Sequence, residues 1–465
     1  MERTLIGDLE KHIGENVSIS CWVDVARDQG KMAFFDFRDR SGKVQGVVFS
    51  KPEVLEIAQT LRPEWVVQIA GQVNERPEKM RREVQNGNIE LEITAIEVLS
   101  EAAPLPFDMD ADLNLDTLLD SRPLTLRRSR EQSIFKIQAT IVNAYRDFFI
   151  GKGFTEFMAP KLIGDDAEGS GAVYEVPYFY GKTAHLATSP QLYKQIMVGV
   201  FERVFSIGNV FRAEKHATTR HLNEYTSLDI EMGFIKDHTD IMAIETELMR
   251  FLMESLRKEC HKDFDLLSAA IPVIPEEIPR MKLREAQELI FKETGADKRG
   301  EPDLEPEDER WLCEWAQREH QSDFIFVTHY PVSKRPFYTF EDPNDPGFTN
   351  SFDLLFRGVE ITTGGQRRHQ YDNLVEGARA KGLDPEKFSF YLDAFKYGLP
   401  PHGGWGMGLE RLTQKLCGLS NVKEATLFPR DINRIDTLLS EQGTPSTDST
   451  SSLKSGSGQA ESSEQ

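Results

Sequence analysis

Cysteine is scarce in this 465-residue sequence: Cys21, Cys260, Cys313 and Cys417 are the only four. They lie too far apart for the C-x-x-C spacing of a zinc site or the framework of a disulfide scaffold, and read as reduced, buried thiols of a cytosolic protein. No stretch is long and apolar enough for a membrane span, and the first residues are charged where a secretory leader would be apolar. The expected location is therefore cytoplasmic, with no membrane partner. Basic residues are in the minority, 55 against 76 carboxylates, for a net charge of −21. Indiscriminate nucleic-acid binding depends on neutralising phosphates and is disfavoured by that balance, but a local basic strip can still serve a specific RNA. A P-loop is also missing.

What is present is first a β-rich segment. Val17, Ile19, Cys21, Val23 and Val25 alternate with polar residues, as do Ile89, Leu91 and Ile93. With 32–37, 44–49 and 65–73 between them, five strands are expected, and one helix over 52–61. Five strands with a helix after the third is the plan of an all-β OB barrel, here over residues 1–102, whose open face often binds single-stranded nucleic acid. Residues 103–130 carry Pro104, Pro106, Pro123 and an acidic run at 108–112, and read as a hinge. From Glu131, Ile134, Ile137, Ile141, Tyr145 and Phe148 recur at helical steps, ending near Gly151–Gly153. A strand over 154–158 then runs into Pro160. The remainder to 438 reads as one large α+β domain, with 235–330 expected to be helix and charged loop outside the site. Residues 439–465 have the Ser, Thr, Gly and Glu content of a disordered tail.

The most informative run is Phe211-Arg212-Ala213-Glu214-Lys215-His216-Ala217-Thr218-Thr219-Arg220-His221-Leu222-Asn223-Glu224-Tyr225. It sets two arginines, two histidines and a tyrosine in a charged loop between two apolar runs, 204–210 and 228–234, that read as strands. Arginine forks suit a polyphosphate and a flat ring suits a purine. Further on, Gly403-Gly404-Trp405-Gly406-Met407-Gly408-Leu409-Glu410-Arg411 brings another arginine behind a glycine-rich approach. Together these suggest an enzyme that handles ATP. Asp353 and Glu360 lie seven apart, and if a tight turn lies at Arg357–Gly358 both carboxylates can enter one pocket as hard ligands for Mg²⁺ on phosphates.

Taken in order, the helix and strand closing on Pro160, the arginine hairpin with the strand through Asp229, and the run ending at Arg411 resemble the three motifs of class II aminoacyl-tRNA synthetases. With an OB domain in front, the plan is similar to the aspartyl/asparaginyl/lysyl subgroup. Ser189-Pro190-Gln191-Leu192-Tyr193-Lys194-Gln195 and Thr218-Thr219-Arg220-His221-Leu222-Asn223-Glu224 resemble the archaeal-type aspartyl-tRNA synthetases. The resemblance runs from residue 1 to about 438. It implies a multidomain fold, an OB barrel before an α+β catalytic domain (131–438) built on an antiparallel sheet. It also implies ligation of L-aspartate to tRNA(Asp) through aspartyl-adenylate, with ATP as co-substrate, Mg²⁺ as cofactor and a homodimer interface from 131–160.

The same resemblance implies roles residue by residue. Arg212 contacts the α-phosphate and the aspartate α-carboxylate, and Arg411 covers the adenine or holds the γ-phosphate; these two are the catalytic candidates. Glu214 reads the adenine edge, Arg220, His221 and Leu222 line the triphosphate, and Tyr225 stacks on the base. Glu360, Gly408, Leu409 and Glu410 complete the ATP set, while Asp353, Glu360 and Thr363 form the metal set. Lys194 reads the aspartate side chain with Arg367 as its partner, and Asp229 orients Lys194. Glu168, Ser189, Gln191, Arg212 and Thr363 hold the rest of the amino acid, and the stretch 168–172 is the expected closing loop. A buried cation separates aspartate from asparagine, because an amide leaves it unpaired.

On the barrel, Phe34, Phe35 and Phe37 with Arg27 and Gln45 are candidates for holding anticodon bases, although alternation turns about half of any strand inward. Two positions that bear on tRNA(Asn) acceptance in this family fall at Asp24 and at Asn86, within Gln85–Asn88. Both depart from the discriminating and the relaxed pattern, so the second tRNA stays open. An asparaginyl-tRNA synthetase is the nearest alternative, disfavoured by Lys194. A ligase making a free metabolite is disfavoured by the OB domain. An inert RNA-binding paralogue is disfavoured by Arg212, Asp353, Glu360 and Arg411 occurring together.

Overall fold

A computed structural model describes residues 2–49, 51–164 and 173–439. By its internal contacts the chain divides between Ala111 and Asp112. In the first unit, β1 (Asn16–Asp28), β2 (Ala33–Asp39), β3 (Gly42–Val48), β4 (Val66–Glu75) and β5 (Ile89–Ser100) close a barrel in the order β1-β2-β3-β5-β4. The expected helix follows the third strand, at Pro52–Thr60. Alternation decides the phenylalanines: Phe35 and Phe37 stack inside the barrel at 5.5 Å, so these two are core and only Phe34 stays half-buried on the outer face. Of the three candidates, Phe35 and Phe37 are thus removed from the base-binding set, as alternation requires of part of any strand. Arg27 is already paired with Asp36 on the same outer face.

The stretch read as a hinge carries structure. Helices form at Leu115–Asp120 and Arg122–Thr125, within the second unit. Arg122 is 2% exposed and donates to the carbonyls of Lys423, Glu424 and Thr426 at 3.3, 3.2 and 2.8 Å. A guanidinium buried in this way ties the segment to the rest of the second unit.

The second unit is built on an eight-stranded sheet. Its strands are β6 (Thr155–Glu156), β10 (Arg203–Phe211), β11 (Glu224–Gly233), β12 (Arg280–Lys282), β13 (Phe324–Thr328), β14 (Ser351–Phe356), β15 (Val359–Arg367) and β16 (His402–Gly408). They run β12-β13-β14-β15-β16-β11-β10-β6, antiparallel from β13 to β10 with a parallel pair at each edge. A small sheet runs in the order β7 (Leu162–Ile163), β9 (Thr183–Leu186), β8 (Glu175–Pro177). β12 and β13 lie within 235–330, so that segment is not confined to outer helices.

Two helices cover one face of the large sheet, Ser129–Gly151 and His238–Glu259. The predicted stripe of the first, Ile134, Ile137, Ile141, Tyr145 and Phe148, is buried against Leu228, Ile230, Trp405 and Met407 of the sheet. That helix stops where Gly153 takes φ +78 and the Phe154 N–H returns to the Phe149 carbonyl at 2.9 Å, a left-handed C-terminal cap. One face is thus committed to the core, and chemistry is left to the other.

Candidate active site

Period-two alternation builds the floor of the site. Leu228 and Ile230 of β11 enter the core, so Ser227, Asp229 and Glu231 project from the opposite face. On the neighbouring β16, Trp405 and Met407 are core, which turns Gly404, Gly406 and Gly408 towards those carboxylates. A Cβ on Gly404 would stand 2.0 Å from the Ile230 carbonyl oxygen and 2.5 Å from Glu231 Oε2. Only glycine leaves room there. Over this floor opens a cavity of about 620 Å³, lined from β11, β14, β15, β16, the hairpin after β10 and the start of the helix Leu409–Leu416.

At one end two cations meet two carboxylates. Lys194, 1% exposed, donates to Asp229 Oδ1 at 2.9 Å and to the Trp405 carbonyl at 2.8 Å, with Glu231 Oε2 3.6 Å away. Arg367 donates through Nε to Glu231 Oε1 and through Nη2 to the Gly404 carbonyl, both at 2.9 Å. So deep a site requires such pairing, because an isolated charge costs several kcal/mol to desolvate. One N–H of Lys194 and the Nη1 of Arg367 have no protein acceptor among the described residues, and both side chains line the cavity. Ser189 and Gln191 line it beside them, and the buried Nε2 of Gln191 has no acceptor either.

The other end is set by the hairpin. Asn223 closes its base, donating from Nδ2 to the carbonyls of Arg212 at 2.6 Å and Glu214 at 3.1 Å. The Arg212 guanidinium lies 5.7 Å over the Tyr225 ring, and its Nη1 is 3.8 Å from Glu214 Oε1. Burial holds the His221 imidazole below its usual pKa, against the pull of Glu214. Arg220, Leu222 and Tyr225 also line the cavity.

The turn expected at Arg357–Gly358 has φ +46 and +82, the two left-handed residues of a tight hairpin, and it joins β14 to β15. Asp353 and Glu360 both face the cavity. Burial pushes Asp353 up to about 6, against the guanidinium of Arg335, whose Nη2 lies 2.8 Å from Oδ1 without hydrogen-bond alignment. Glu360 lies below its usual value. Burial would raise it, but Arg411, 3.7 Å from Oε1, and the Thr363 hydroxyl donating at 2.9 Å outweigh that. Two carboxylates and a hydroxyl are hard oxygen donors. Among the described residues no group of three His, Cys, Asp or Glu forms a closed metal cage. The set fits a hard divalent cation that arrives on phosphates and keeps part of its water.

Gly408, Glu410 and Arg411 stand on the cavity wall, but the Leu409 side chain belongs to the core. Both oxygens of Glu410 accept from the Thr226 N–H at 3.0 Å, and burial pushes its carboxyl up to about 7. Glu168 and the rest of its loop lie outside the described residues. Asp24 and Asn86 belong to the barrel. Asp24 accepts from Arg38 at 3.0 Å and Lys43 at 2.6 Å. Asn86 is 2% exposed, with its amide spent on the carbonyls of Ile6 and Lys43. Sequence reasoning missed Glu231, Asp303, Glu309, Lys334 and Arg335. For Glu231 the signal existed, since it continues the polar face Ser227–Asp229; the others come from loops and a helix with no local pattern.

Residues 114–432 match the tRNA synthetases class II (D, K and N) family, and 17–99 match the OB-fold nucleic acid binding domain. The chain is 45% identical to the aspartate–tRNA(Asp/Asn) ligase of Thermus thermophilus, covering 93% of this chain and 99% of that protein. It is 39% identical to the aspartate–tRNA(Asp) ligase of Thermoplasma acidophilum, covering 94% and 100%. Among solved structures, asparaginyl-tRNA synthetase from Pyrococcus horikoshii complexed with asparaginyl-adenylate superposes with a TM-score of 0.86 at 30% identity, covering 94% of this chain and 99% of that one.

Proposed function

The chain belongs to the class II aminoacyl-tRNA synthetases of the D, K and N group, and we propose that it is an aspartate–tRNA ligase. The observation that carries this reading is the buried Lys194–Arg367 pair. Each cation is held by its own carboxylate and keeps a donor for a guest, which suits a second carboxylate and penalises an amide. An aspartate side chain entering there would leave its α-carboxylate towards Arg212 and its ammonium towards Gln191 and, by resemblance, Glu168.

The reaction follows from that placement. An oxygen of the α-carboxylate attacks the α-phosphorus of ATP, the bond to the bridging oxygen breaks, and pyrophosphate leaves aspartyl-adenylate. Arg212 faces the charge that develops at phosphorus, while Arg220, His221 and Arg411 hold the outer phosphates. Asp353, Glu360 and Thr363 would hold Mg²⁺, which when bound neutralises phosphate charge. The 3′-terminal ribose hydroxyl of the tRNA then attacks the aspartyl carbonyl and releases AMP.

The enzyme would work in the cytoplasm as a homodimer through residues 131–160. Exposure of Ile150 (60%) and Met158 (76%) supports that face. For the tRNA we propose tRNA(Asp) together with tRNA(Asn). Relatives named for both tRNAs at 43% and 45% identity support this.

The test has two stages. Pyrophosphate–ATP exchange should depend on aspartate and not on asparagine. Asparagine-driven exchange at equal rate would favour the asparaginyl alternative, and no exchange with either would favour the inert paralogue. Charging of purified tRNA(Asp) and tRNA(Asn) side by side then decides breadth, and charging of tRNA(Asp) alone would refute the relaxed reading.

A further inference from the structure

Glu309 belongs to none of the three motif segments, yet it reaches the nucleotide end. It sits in the first turn of the helix Pro306–His320 and is 5% exposed. Its two oxygens are committed to two different parts of the site. Oε1 accepts from Arg220 Nη2 at 2.9 Å, and Oε2 accepts from the Glu360 backbone N–H at 3.3 Å.

The second contact depends on an irregularity in the sheet. Along β14 and β15, Leu354 pairs with Thr362 but Leu355 pairs with Glu360, so Ile361 is an extra residue on β15. Such a bulge breaks the ladder locally and re-aims side chains. Here the peptide groups of Glu360 are taken by side chains: its N–H by Glu309, and its carbonyl by Arg411 Nη1 at 3.0 Å. The carboxylate that faces the phosphates is therefore held on both sides of its own backbone.

The first contact fixes a long side chain. Arginine carries five N–H donors in a rigid fork. With Nη2 of Arg220 committed to Glu309, the remaining edge is free for a phosphate in the cavity that Arg220 lines. Prior ordering of this kind spares the nucleotide the rotamer entropy of collecting a loose guanidinium.

We propose that Glu309 is a positioning residue for the ATP polyphosphate, setting the Arg220 guanidinium and the Glu360 bulge before the nucleotide arrives. The inference rests on the ligase reading. Its action is confined to the nucleotide end, because Lys194 and Arg367 make no contact with Glu309.

Steady-state pyrophosphate exchange on the full-length enzyme tests it, with Glu309→Gln, Glu309→Ala, Arg220→Ala and the double variant Glu309→Gln/Arg220→Ala. Glu309→Gln keeps the shape but cannot accept on both sides, so KM for ATP should rise about tenfold, with KM for aspartate and kcat changed less than about threefold. Added to Arg220→Ala, the same change should cost less than it does alone, because the two residues share one contact. An unchanged KM for ATP would overturn the proposal. So would equal shifts in both substrate constants with a lowered melting temperature, which is the signature of a merely structural acid. If the wild type itself shows no aspartate-dependent exchange, it is the ligase reading that fails, and this inference falls with it.

Discussion

Replacing Lys194 with methionine keeps most of its volume and removes one positive charge from a cluster that holds two cations and two carboxylates. Asp229 and Glu231 would then face Arg367 alone. An incoming aspartate loses a charge-assisted hydrogen bond, about 1.5–3 kcal/mol. It also meets one uncompensated carboxylate, which at about 5 Å and an effective dielectric near 20 costs about 3 kcal/mol. Together these correspond to roughly 10³- to 10⁴-fold in kcat/KM for aspartate. Aspartate-dependent pyrophosphate exchange, with a melting curve for each sample, measures the loss. Retention of aspartate kcat/KM within about threefold, in a folded variant, would refute the charge argument for specificity.

Other consequences can be checked alongside it. Glu245 is fully buried with neither carboxyl oxygen bonded, and burial pushes its pKa from 4.5 to about 8. Because the folded value is the higher, its stabilising effect is complete below the unfolded pKa and is lost as pH climbs towards 8. Glu245→Gln mimics the protonated form, so the variant's melting temperature should gain on the wild type between pH 5 and 8; parallel curves would contradict this. Gly404→Ala should cost about 3 kcal/mol and abolish exchange, since its Cβ collides with the Ile230 carbonyl and Glu231. Gly199→Ala, whose Cβ would meet only the Leu399 side chain at 3.7 Å, serves as the control, with a melting temperature close to wild type. Chelation of divalent cations should abolish exchange, and Glu360→Gln should raise the Mg²⁺ concentration needed for half-maximal rate about tenfold; an unshifted Mg²⁺ curve would remove Glu360 from the metal set.

Legibility in the sequence followed periodicity. The barrel strands, the stripe of Ser129–Gly151 and the strands β10 and β11 were readable because burial of one face writes a period of 2 or 3.6 into the residues. β12 and β13 were not, because strands of three and five residues leave too short a pattern inside a helical neighbourhood. Asn86 illustrates the limit of reading a loop by position. A left-handed φ of +57 and two backbone carbonyls claim its side chain, a demand no local sequence announces. Glu309 and Asp303 were missed for the same kind of reason, since acids in a charged helix start and the loop before it look solvated until the fold carries them to the site.

The cavity's cations share one arrangement. Lys194 lies beside Asp229, Arg212 beside Glu214, Arg220 beside Glu309, Lys334 beside Asp303, Arg335 beside Asp353, Arg367 beside Glu231 and Arg411 beside Glu360, at separations from 2.7 to 3.8 Å. An acidic chain that must hold polyphosphate can desolvate so many cations only by pairing each one. The consequence is that the empty site is close to electroneutral and does not draw in ATP by net charge alone. A guest phosphate must share each guanidinium with a resident carboxylate, and the repulsion between them needs a counter-charge. Asp353 and Glu360 sit where a divalent cation brought in by the phosphates would supply it. Nucleotide affinity should therefore depend on the cation more steeply than the number of arginines suggests, and most of all through Asp353 and Glu360.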